Sequence, residues 1–230
     1  MNKVVCVQRV CTHYRVDLFK RLQKKYDFTL LVSKVNQNKP QKKLRNSNRI
    51  NEIHHNKLFT ILFEIKIFKK TYPIVICPTL VIRLFRERPD IIVCEGESNL
   101  INNLSVFLYS LLTKTPYIWW GLGKIPYSKN NFLKSIAKPL VRLLLARSKS
   151  IISYSSYGSN YYKTIVKNKA KVFTIHNSLD TEKIKENLTK FQASASKEKE
   201  KLSISNKIVL IFVGSFQKQK NIPLLINAFE

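Results

Sequence analysis

A candidate anion-binding turn lies near the end of the sequence, after the apolar run IVLIFV. Gly214 ends that run, Lys218 and Lys220 lie in the turn, and Asn221 is placed to cap the helix that follows. The free N–H groups and the dipole of a helix N-terminus attract negative charge, and ammonium groups beside it strengthen that attraction. The spacing therefore suits a diphosphate. The alternative is an ordinary strand-to-helix turn whose lysines bind nothing.

Two carboxylates, Glu95 and Glu97, follow the strand-like run PDIIVC. In open α/β sheets, ligands bind at the carboxyl ends of the strands, so both side chains are candidates for a cleft. They would accept hydrogen bonds from hydroxyl groups of a ligand, or one of them would act as a general base. The alternative is that one carboxylate caps the helix that follows. The spacing alone assigns no catalytic residue.

The next strand-like run, PYIWWG, ends in two tryptophans and leads into a glycine-containing loop. Trp119 is predicted to lie in the core, whereas Trp120, Gly121 and Gly123 are candidates for the cleft. Aromatic faces stack on ring-shaped ligand groups, and glycines let a ligand approach the backbone closely.

The elements that must position these residues alternate between strands and helices. Strand-like runs recur along the first 178 residues, and amphipathic helical patterns separate most of them. The run KVVCVQRV, a helix and the run DFTLLVS form a βαβ unit, which indicates a parallel sheet. The sequence therefore predicts an α/β fold with a doubly wound Rossmann-like parallel sheet.

Three stretches are less regular. Residues 34–57 are polar and rich in turn residues, which predicts a loop. The run LFTILFEIKIF favours a strand over a helix. The run PIVICPTLVIRLFRER favours a helix with Pro78 in its first turn or at a kink.

The charge pattern divides the chain. The charged stretch 181–206 predicts a helix and a solvated connector, after which a strand-like pattern begins again. We therefore predict a Rossmann-like domain over 1–180 and the first strand and helix of a second, incomplete Rossmann-like domain over 207–230.

The composition narrows the class of partner. A formal net charge of +27 suits phosphates, nucleic acid or an acidic membrane face, although a bias toward lysine and asparagine codons would produce it without any function. The four cysteines show no CxxC spacing, which favours buried reduced thiols over disulfides or a metal site. No apolar run has the length of a spanning helix or a signal peptide, which predicts a cytoplasmic protein.

The C-terminal segment VLIFVGSFQKQKNIPLLINAF resembles the start of the second domain in group 1 (family 4-like) glycosyltransferases of the GT-B fold. Gly214 and Lys220 match the family pattern, whereas Ser215 stands where the family has arginine and Asn221 where it has glycine. The resemblance implies that Gly214 and Lys220 bind the diphosphate of a nucleotide-sugar donor. It also implies that the paired glutamates of the family fall beyond residue 230, so that the chain is truncated early in its donor-binding domain.

The resemblance extends to the N-terminus, where THYRVDLFKRL is similar to the opening of a subset of these enzymes. It implies that Tyr14 and Arg15 face the interdomain cleft and contact a phosphate or a sugar of the acceptor, Arg15 through its paired donors. The alternative is a structural arginine that pairs with Asp17 or Asp27.

The resemblance implies a glycosyltransferase that moves a sugar from a nucleotide-sugar to a saccharide or lipid-linked acceptor, with no metal and no other cofactor. We expect the chain alone to transfer sugar poorly unless a second chain supplies the missing donor domain. The basic amphipathic segment 130–149 suggests peripheral contact with the inner face of a membrane; the alternative is an ordinary helix packed on the sheet. Two other functions compete: a non-catalytic basic fragment that binds a membrane or a partner chain, and, less favoured because no recognition motif appears, a nucleic-acid-binding protein.

Overall fold

The computed structural model describes residues 1–34, 46–67, 70–123, 132–177, 179–205, 207–214, 216 and 220–229. The chain divides into two compact units, Met1–Leu179 and Asp180–Glu230.

A parallel sheet of seven strands organises the first unit. Its strand order is β3-β2-β1-β6-β7-β8-β9, and every neighbouring pair is parallel. The chain therefore builds outward from β1 in one direction, returns, and builds outward in the other, which confirms the predicted doubly wound fold. The strands are β1 (Lys3–Gln8), β2 (Asp27–Ser33), β3 (His55–Leu58), β6 (Ile91–Glu95), β7 (Tyr117–Gly121), β8 (Ser150–Ser153) and β9 (Val172–Thr174).

Helices cover both faces of this sheet and bury two apolar layers. One layer contains Leu80, Leu84, Val106 and Leu144, and the other contains Phe19 with residues of β1 and β2. The helices are α1 (His13–Gln23), α2 (Leu80–Glu87), α3 (Leu100–Thr113), α4 (Phe132–Arg147), α5 (Ser156–Ile165), α6 (Thr181–Lys201) and α7 (Ile222–Asn227), with short 3₁₀ helices at Asn48–Glu52, Glu97–Asn99 and Lys169–Lys171.

The predicted loop over residues 34–57 is wrong at its end, because β3 forms there and becomes an edge strand. Its backbone pairs with β2, where His55 lies opposite Leu30. Leu58 and Ile53 are buried. Three polar residues, His55, Asn56 and Lys57, are thus part of a strand because they pair with β2, which local sequence patterns do not reveal. Residues 35–45 lie outside the described part of the chain.

A two-stranded antiparallel sheet precedes α2. It is formed by β4 (Ile61–Ile67) and β5 (Lys70–Ile76). The strand predicted for LFTILFEIKIF is confirmed over β4. The helix predicted from residue 73 is wrong in its first part, because Val75 pairs with Leu62 in the sheet and α2 begins at Leu80.

In its described residues, the second unit contains the two α-helices α6 and α7, whose side chains are mostly exposed. Asp180 caps α6, its side chain accepting a hydrogen bond from the Lys183 N–H at 3.4 Å. The strand predicted over 208–213 is not formed: the segment belongs to no strand, and Ile208 and Val213 are each 90% exposed. An extended segment becomes a strand only when a neighbour accepts and donates its hydrogen bonds, and no described strand does so here. The helix predicted after the turn is present as α7.

Candidate functional site

The site lies where the strand order of the sheet reverses, at the carboxyl ends of β1 and β6. Glu95 bridges the two chain segments that leave this point. Its carboxylate accepts a hydrogen bond from the Arg9 N–H at 2.6 Å and another from the Ser98 hydroxyl at 2.6 Å. One carboxylate thus ties the loop after β1 to the turn after β6, at the position where doubly wound sheets bind ligands.

Arg15 lies in the first turn of α1, beneath this bridge. Only 8% of the residue is exposed, and its guanidinium donates hydrogen bonds to the Gln8 side chain and to the Tyr154 hydroxyl. Neither alternative partner proposed from the sequence is used: Asp17 instead accepts from Arg49 at 2.6 Å. Among the described residues, no carboxylate is hydrogen-bonded to Arg15 and its Nε has no partner. The site therefore holds a buried cation whose hydrogen-bond partners are neutral.

Aromatic rings surround the Arg15 guanidinium. Its central carbon lies 4.8 Å from the Trp120 ring centroid, 5.5 Å from that of Tyr154 and 5.8 Å from that of Tyr14. Such contacts are favourable because the face of an aromatic ring is electronegative. Trp120 is 8% exposed and its ring contacts Phe19 edge-on. The predicted cleft tryptophan thus lies under the arginine, whereas Tyr14 at the outer side is half-buried.

Glu97 belongs to a separate hydrogen-bond network centred on Tyr162 of α5. The Tyr162 hydroxyl donates to Glu97 at 2.6 Å and accepts from Trp119 Nε1 at 3.2 Å and from the Gly123 N–H at 3.0 Å. This one oxygen joins α5 to the 3₁₀ helix after β6, to β7 and to the start of the loop after β7. At the N-terminus of α3 the side chain of Asn99 makes no cap, and Glu97 lies in the first turn of the short 3₁₀ helix that leads into α3.

Burial shifts the ionisation of this network. Desolvation raises the pKa of Glu97, and the hydrogen bonds from Tyr162 and from the backbone oppose that rise. The same burial, together with the Glu97 charge, raises the pKa of Tyr162. The pair therefore favours a neutral phenol beside a carboxyl group that binds a proton more readily than an exposed glutamate does.

The two glycines of the predicted cleft serve close packing within the protein. A Cβ at Gly121 would lie 2.2 Å from the Tyr162 hydroxyl and 2.8 Å from Glu97 Oε2. Gly123 has a φ of +72°, and a Cβ there would lie 2.9 Å from the Gly158 Cα. The space that glycine leaves at position 121 is thus occupied by the network itself.

The proposed donor-side residues lie in the second unit. Lys220 is exposed and precedes α7, and Gly214 is exposed as well. Asn221 has a φ of 47° and makes no side-chain cap, so the capping predicted from the sequence is wrong. Residues 217–219, with Lys218 among them, lie outside the described part of the chain.

The described part of α4 packs as an ordinary amphipathic helix. Leu144 and Leu145 are fully buried against the sheet, while Lys138 and Arg142 are exposed. The apolar side thus faces the core, as the alternative reading of this segment expected. The first two residues of the predicted segment, 130 and 131, lie outside the described part of the chain.

Sequence reasoning missed three side chains that build the site: Gln8, Tyr154 and Tyr162. Gln8 is the last residue of β1 and Tyr154 follows β8, so their position at strand ends is a signal that could have identified them. Tyr162 lies within α5 and gives no such signal. Within the described residues, no group of histidine, cysteine, aspartate or glutamate side chains is arranged to hold a metal ion, and no helix is both long and apolar enough to cross a bilayer.

This geometry defines a Rossmann-like α/β fold of the GT-B type, and comparison with solved structures agrees. Anabaena Alr3699/HepE in complex with UDP superposes with a TM-score of 0.65 at 13% sequence identity, over 100% of this chain and 57% of that one. The same protein in complex with UDP-glucose gives a TM-score of 0.62 at 12% identity.

A third solved structure is similar over a smaller part of the chain. UDP-GlcNAc 2-epimerase from Neisseria meningitidis, bound to UDP-GlcNAc, gives a TM-score of 0.50 at 15% identity and covers 87% of this chain and 53% of that one. The chain thus spans little more than half the length of these neighbours. No protein-family model matches the sequence, and no curated protein sequence does so either.

Proposed function

We propose that this chain takes part in sugar transfer, as the acceptor side of a GT-B glycosyltransferase that uses a nucleotide-sugar donor. The observation that carries the proposal is Arg15, a buried cation with neutral hydrogen-bond partners at the strand-order reversal of the sheet. A positive charge held in this way attracts an anionic ligand strongly, because little solvent screens it. The structural neighbours in complex with UDP and UDP-glucose make sugar nucleotides the natural ligand class.

The proposed roles divide between the two units. Residues 1–180 bind the acceptor, with Arg15 and Tyr14 directed at a phosphate or sugar group of a saccharide or lipid-linked substrate. Gly214 and Lys220 belong to the donor side and hold the donor diphosphate. Glu95 and Glu97 fix the two loops beside the acceptor, and Trp120, Gly121 and Gly123 support Arg15 and Tyr162 from below.

The proposed reaction is a displacement at the anomeric carbon of the donor sugar. The bond from that carbon to the diphosphate oxygen breaks, a bond to an acceptor hydroxyl oxygen forms, and the hydroxyl proton leaves to a base. The nucleoside diphosphate departs as an anion, whose charge Lys220 and the N–H groups before α7 would stabilise. We assign the base to no residue of this chain.

A second chain or a longer polypeptide would complete the donor side, because the chain spans 57% of the HepE structure to which it is similar. We place the reaction at the cytoplasmic face of a membrane, where nucleotide-sugars and lipid-linked acceptors meet. The competing function is that of a basic, non-catalytic fragment that binds a membrane or a partner chain, which the net charge of +27 also supports.

The test is a transfer assay with the chain, alone and with a co-expressed donor domain, on UDP-glucose or UDP-GlcNAc and a lipid-linked saccharide. Mass spectrometry of the acceptor detects an added hexose or N-acetylhexosamine. Arg15→Gln should abolish transfer, whereas Lys25→Gln, at an exposed position after the same helix, should not.

Other products would redirect the proposal. Interconversion of UDP-sugar epimers with no change in the acceptor would instead favour an epimerase. If neither product forms and the chain also fails to bind the saccharide phosphate, the enzymatic proposal is wrong for this polypeptide.

A further inference from the structure

The outward surface of α2 and α3 is unusually apolar for helices that face solvent. On α2, Ile82 and Phe85 are exposed; on α3, Leu108 is 53% and Leu112 is 73% exposed, and Leu111 lies between them. Over its 14 residues, Leu100–Thr113, α3 carries no charged side chain at all. A helix that covers a sheet normally presents charged and polar residues on this face.

The two helices form one continuous surface. Phe85 of α2 contacts Tyr109 of α3 with ring centroids 4.9 Å apart. Tyr109 is the neighbour of Leu108 and lies one turn before Leu112. Both helices bury their inner faces in the same apolar layer, through Leu84 and Val106. Ile82, Phe85, Leu108, Leu111 and Leu112 are called the α2–α3 platform below.

Positive charge borders this platform. Arg86 and Arg88 at the end of α2 and Lys114 at the end of α3 are all exposed. Arg88 and Lys114 are the residues that terminate the two helices, both in the left-handed conformation. Because both helices precede strands of one parallel sheet, β6 and β7, their C-terminal ends lie toward the same edge. The three cations therefore lie along one end of the platform.

The acidic residues nearby are engaged elsewhere. Glu87, the one acidic residue of α2, is buried and pairs with Lys3 at 3.0 Å and with Arg83 at 2.8 Å. Asp90, which follows α2, accepts a hydrogen bond from the Lys3 N–H at 2.7 Å. The platform thus combines large apolar side chains with a border that carries three exposed cations, Arg86, Arg88 and Lys114, and one exposed carboxylate, Asp90.

We propose that the α2–α3 platform docks on an anionic lipid surface. Leucine, isoleucine and phenylalanine side chains would enter the boundary between headgroups and acyl chains, while the cationic border would contact lipid phosphates. Charge complementarity selects this occupant. A second copy of the chain would bring a net charge of +27 against +27, which repels, and an anionic bilayer attracts the same surface.

The platform also differs from the helix that the sequence suggested for this role. Over residues 137–147 of α4, the side chains of Leu144 and Leu145 point into the core, and the exposed face offers Lys138 and Arg142 with one large apolar side chain, Leu143, which is 47% exposed. The basic helix α4 and the apolar α2–α3 platform are therefore different parts of the molecule. This proposal does not depend on the sugar-transfer function, because lipid binding needs neither donor nor acceptor.

The test is co-sedimentation of the full chain with vesicles of phosphatidylcholine alone and of phosphatidylcholine with phosphatidylglycerol. We expect binding to the anionic vesicles that weakens as salt is added, since exposed charges are screened. Replacement of Leu108 and Leu112 by serine should lower the partition coefficient about tenfold or more. Arg88→Asn with Lys114→Asn should lower it as well, because asparagine keeps the left-handed backbone while the charge is lost.

The matched control removes the same kind of charge elsewhere: Lys138→Gln with Arg142→Gln on α4 should leave vesicle binding within about twofold of the unmodified chain. Circular dichroism and the thermal midpoint of each variant confirm that it is folded. The proposal is overturned if the unmodified chain ignores anionic vesicles, if the platform variants bind them normally, or if the α4 variant loses binding to the same extent. It is also overturned in favour of self-association if the chain is an oligomer in solution that the leucine variants dissociate.

Discussion

Two regions were expected to bind phosphate or sugar groups: the carboxyl ends of β1, β6 and β7, called the sheet edge here, and the turn before α7. Their side chains are held in opposite ways. At the sheet edge, Arg15 and Glu97 are held by hydrogen bonds to residues from distant parts of the chain. Before α7, Lys220 and Gly214 are both exposed. Side chains fixed in advance bind with less loss of conformational freedom.

The two regions therefore differ in how far their candidate site residues also stabilise the fold. Buried polar groups are costly unless they are fully paired, so a network such as that of Tyr162 persists only where the fold requires it. Substitutions in the first region should therefore affect folding and binding together, and substitutions in the second should affect binding alone. The four predictions below test that contrast in order of expected effect.

The largest effect is expected for Gly121→Ala. A Cβ at this position would lie 2.2 Å from the Tyr162 hydroxyl and 2.9 Å from Trp119 Nε1, and both groups are buried. The network must open to admit the methyl group, which should lower the free energy of unfolding by about 3 kcal/mol. Urea unfolding followed by circular dichroism measures it. A change no larger than that of Gly214→Ala, where the nearest atom belongs to the Phe212 ring at 3.0 Å, would contradict the prediction.

Tyr162→Phe should have the next largest effect. The substitution removes one oxygen that serves Glu97, Trp119 and Gly123 at once, so that all three groups lose this hydrogen-bond partner. The expected loss in the free energy of unfolding is about 2 kcal/mol. Tyr157→Phe is the matched control, because Tyr157 lies on the same helix with its side chain exposed and should change the free energy of unfolding little. Equal losses for the two variants would show that the hydroxyl network does not stabilise the fold.

Glu97→Gln should change how stability depends on pH. Burial raises the pKa of Glu97 in the folded chain, so the folded state binds a proton more tightly than the unfolded state. Between the ordinary glutamate pKa of about 4.3 and the raised folded value, the contribution of Glu97 to stability falls as pH rises. The unfolding free energy of the original chain minus that of Glu97→Gln should therefore decrease across this range. A difference that stays constant with pH would contradict it.

Glu52→Gln is the control for the direction of this pH dependence, because the pKa of Glu52 is shifted the other way. The pKa of Glu52 is lowered to about 2 by hydrogen bonds from Arg49 and Lys20, so its contribution to stability is lost as pH falls. The Glu52→Gln difference should thus change with pH in the direction opposite to that of Glu97→Gln.

The smallest effect is expected for Lys220→Gln. The ammonium group is exposed, so the free energy of unfolding should change by less than about 0.5 kcal/mol. Donor binding by the completed enzyme should nevertheless weaken, because the diphosphate would lose a charge partner. Calorimetric titration with UDP measures the affinity and thermal unfolding measures the stability. An unchanged affinity for UDP would remove Lys220 from the proposed donor site.

Much of the fold could be predicted from the sequence, since apolar runs such as DFTLLVS are buried on both sides of a parallel sheet and are legible without a partner. The strand β3 could not, because His55–Leu58 owes its conformation to pairing with β2. The reverse error occurred at 208–213, where a strand-like composition has no described neighbour to pair with. Both errors have the same physical origin, because a segment forms a strand only when a second segment pairs with it through backbone hydrogen bonds.

The candidate site was legible only in part. Glu95 was identified because it follows a strand, and Arg15 through the resemblance of THYRVDLFKRL to the opening of a known family. Both follow strands that lie at the strand-order reversal of the sheet. The partners of Arg15 and Glu97 were missed, since Tyr154 lies 139 residues from Arg15 in sequence and Tyr162 lies 65 residues from Glu97. Spacing along the chain also suggested Asp17 as an ion-pair partner of Arg15, whereas Asp17 accepts a hydrogen bond from Arg49.

The four cysteines, Cys6, Cys11, Cys77 and Cys94, have a practical consequence. All are free and buried, and burial raises the pKa of Cys6 to about 12 and that of Cys11 to about 11. An alkylating reagent at neutral pH attacks thiolates, so these sulfurs should react only when the sheet opens. The rate at which these cysteines are alkylated therefore reports the opening of the structure around them. A single cysteine introduced at the surface would accept a fluorophore or spin label without removal of the natural four.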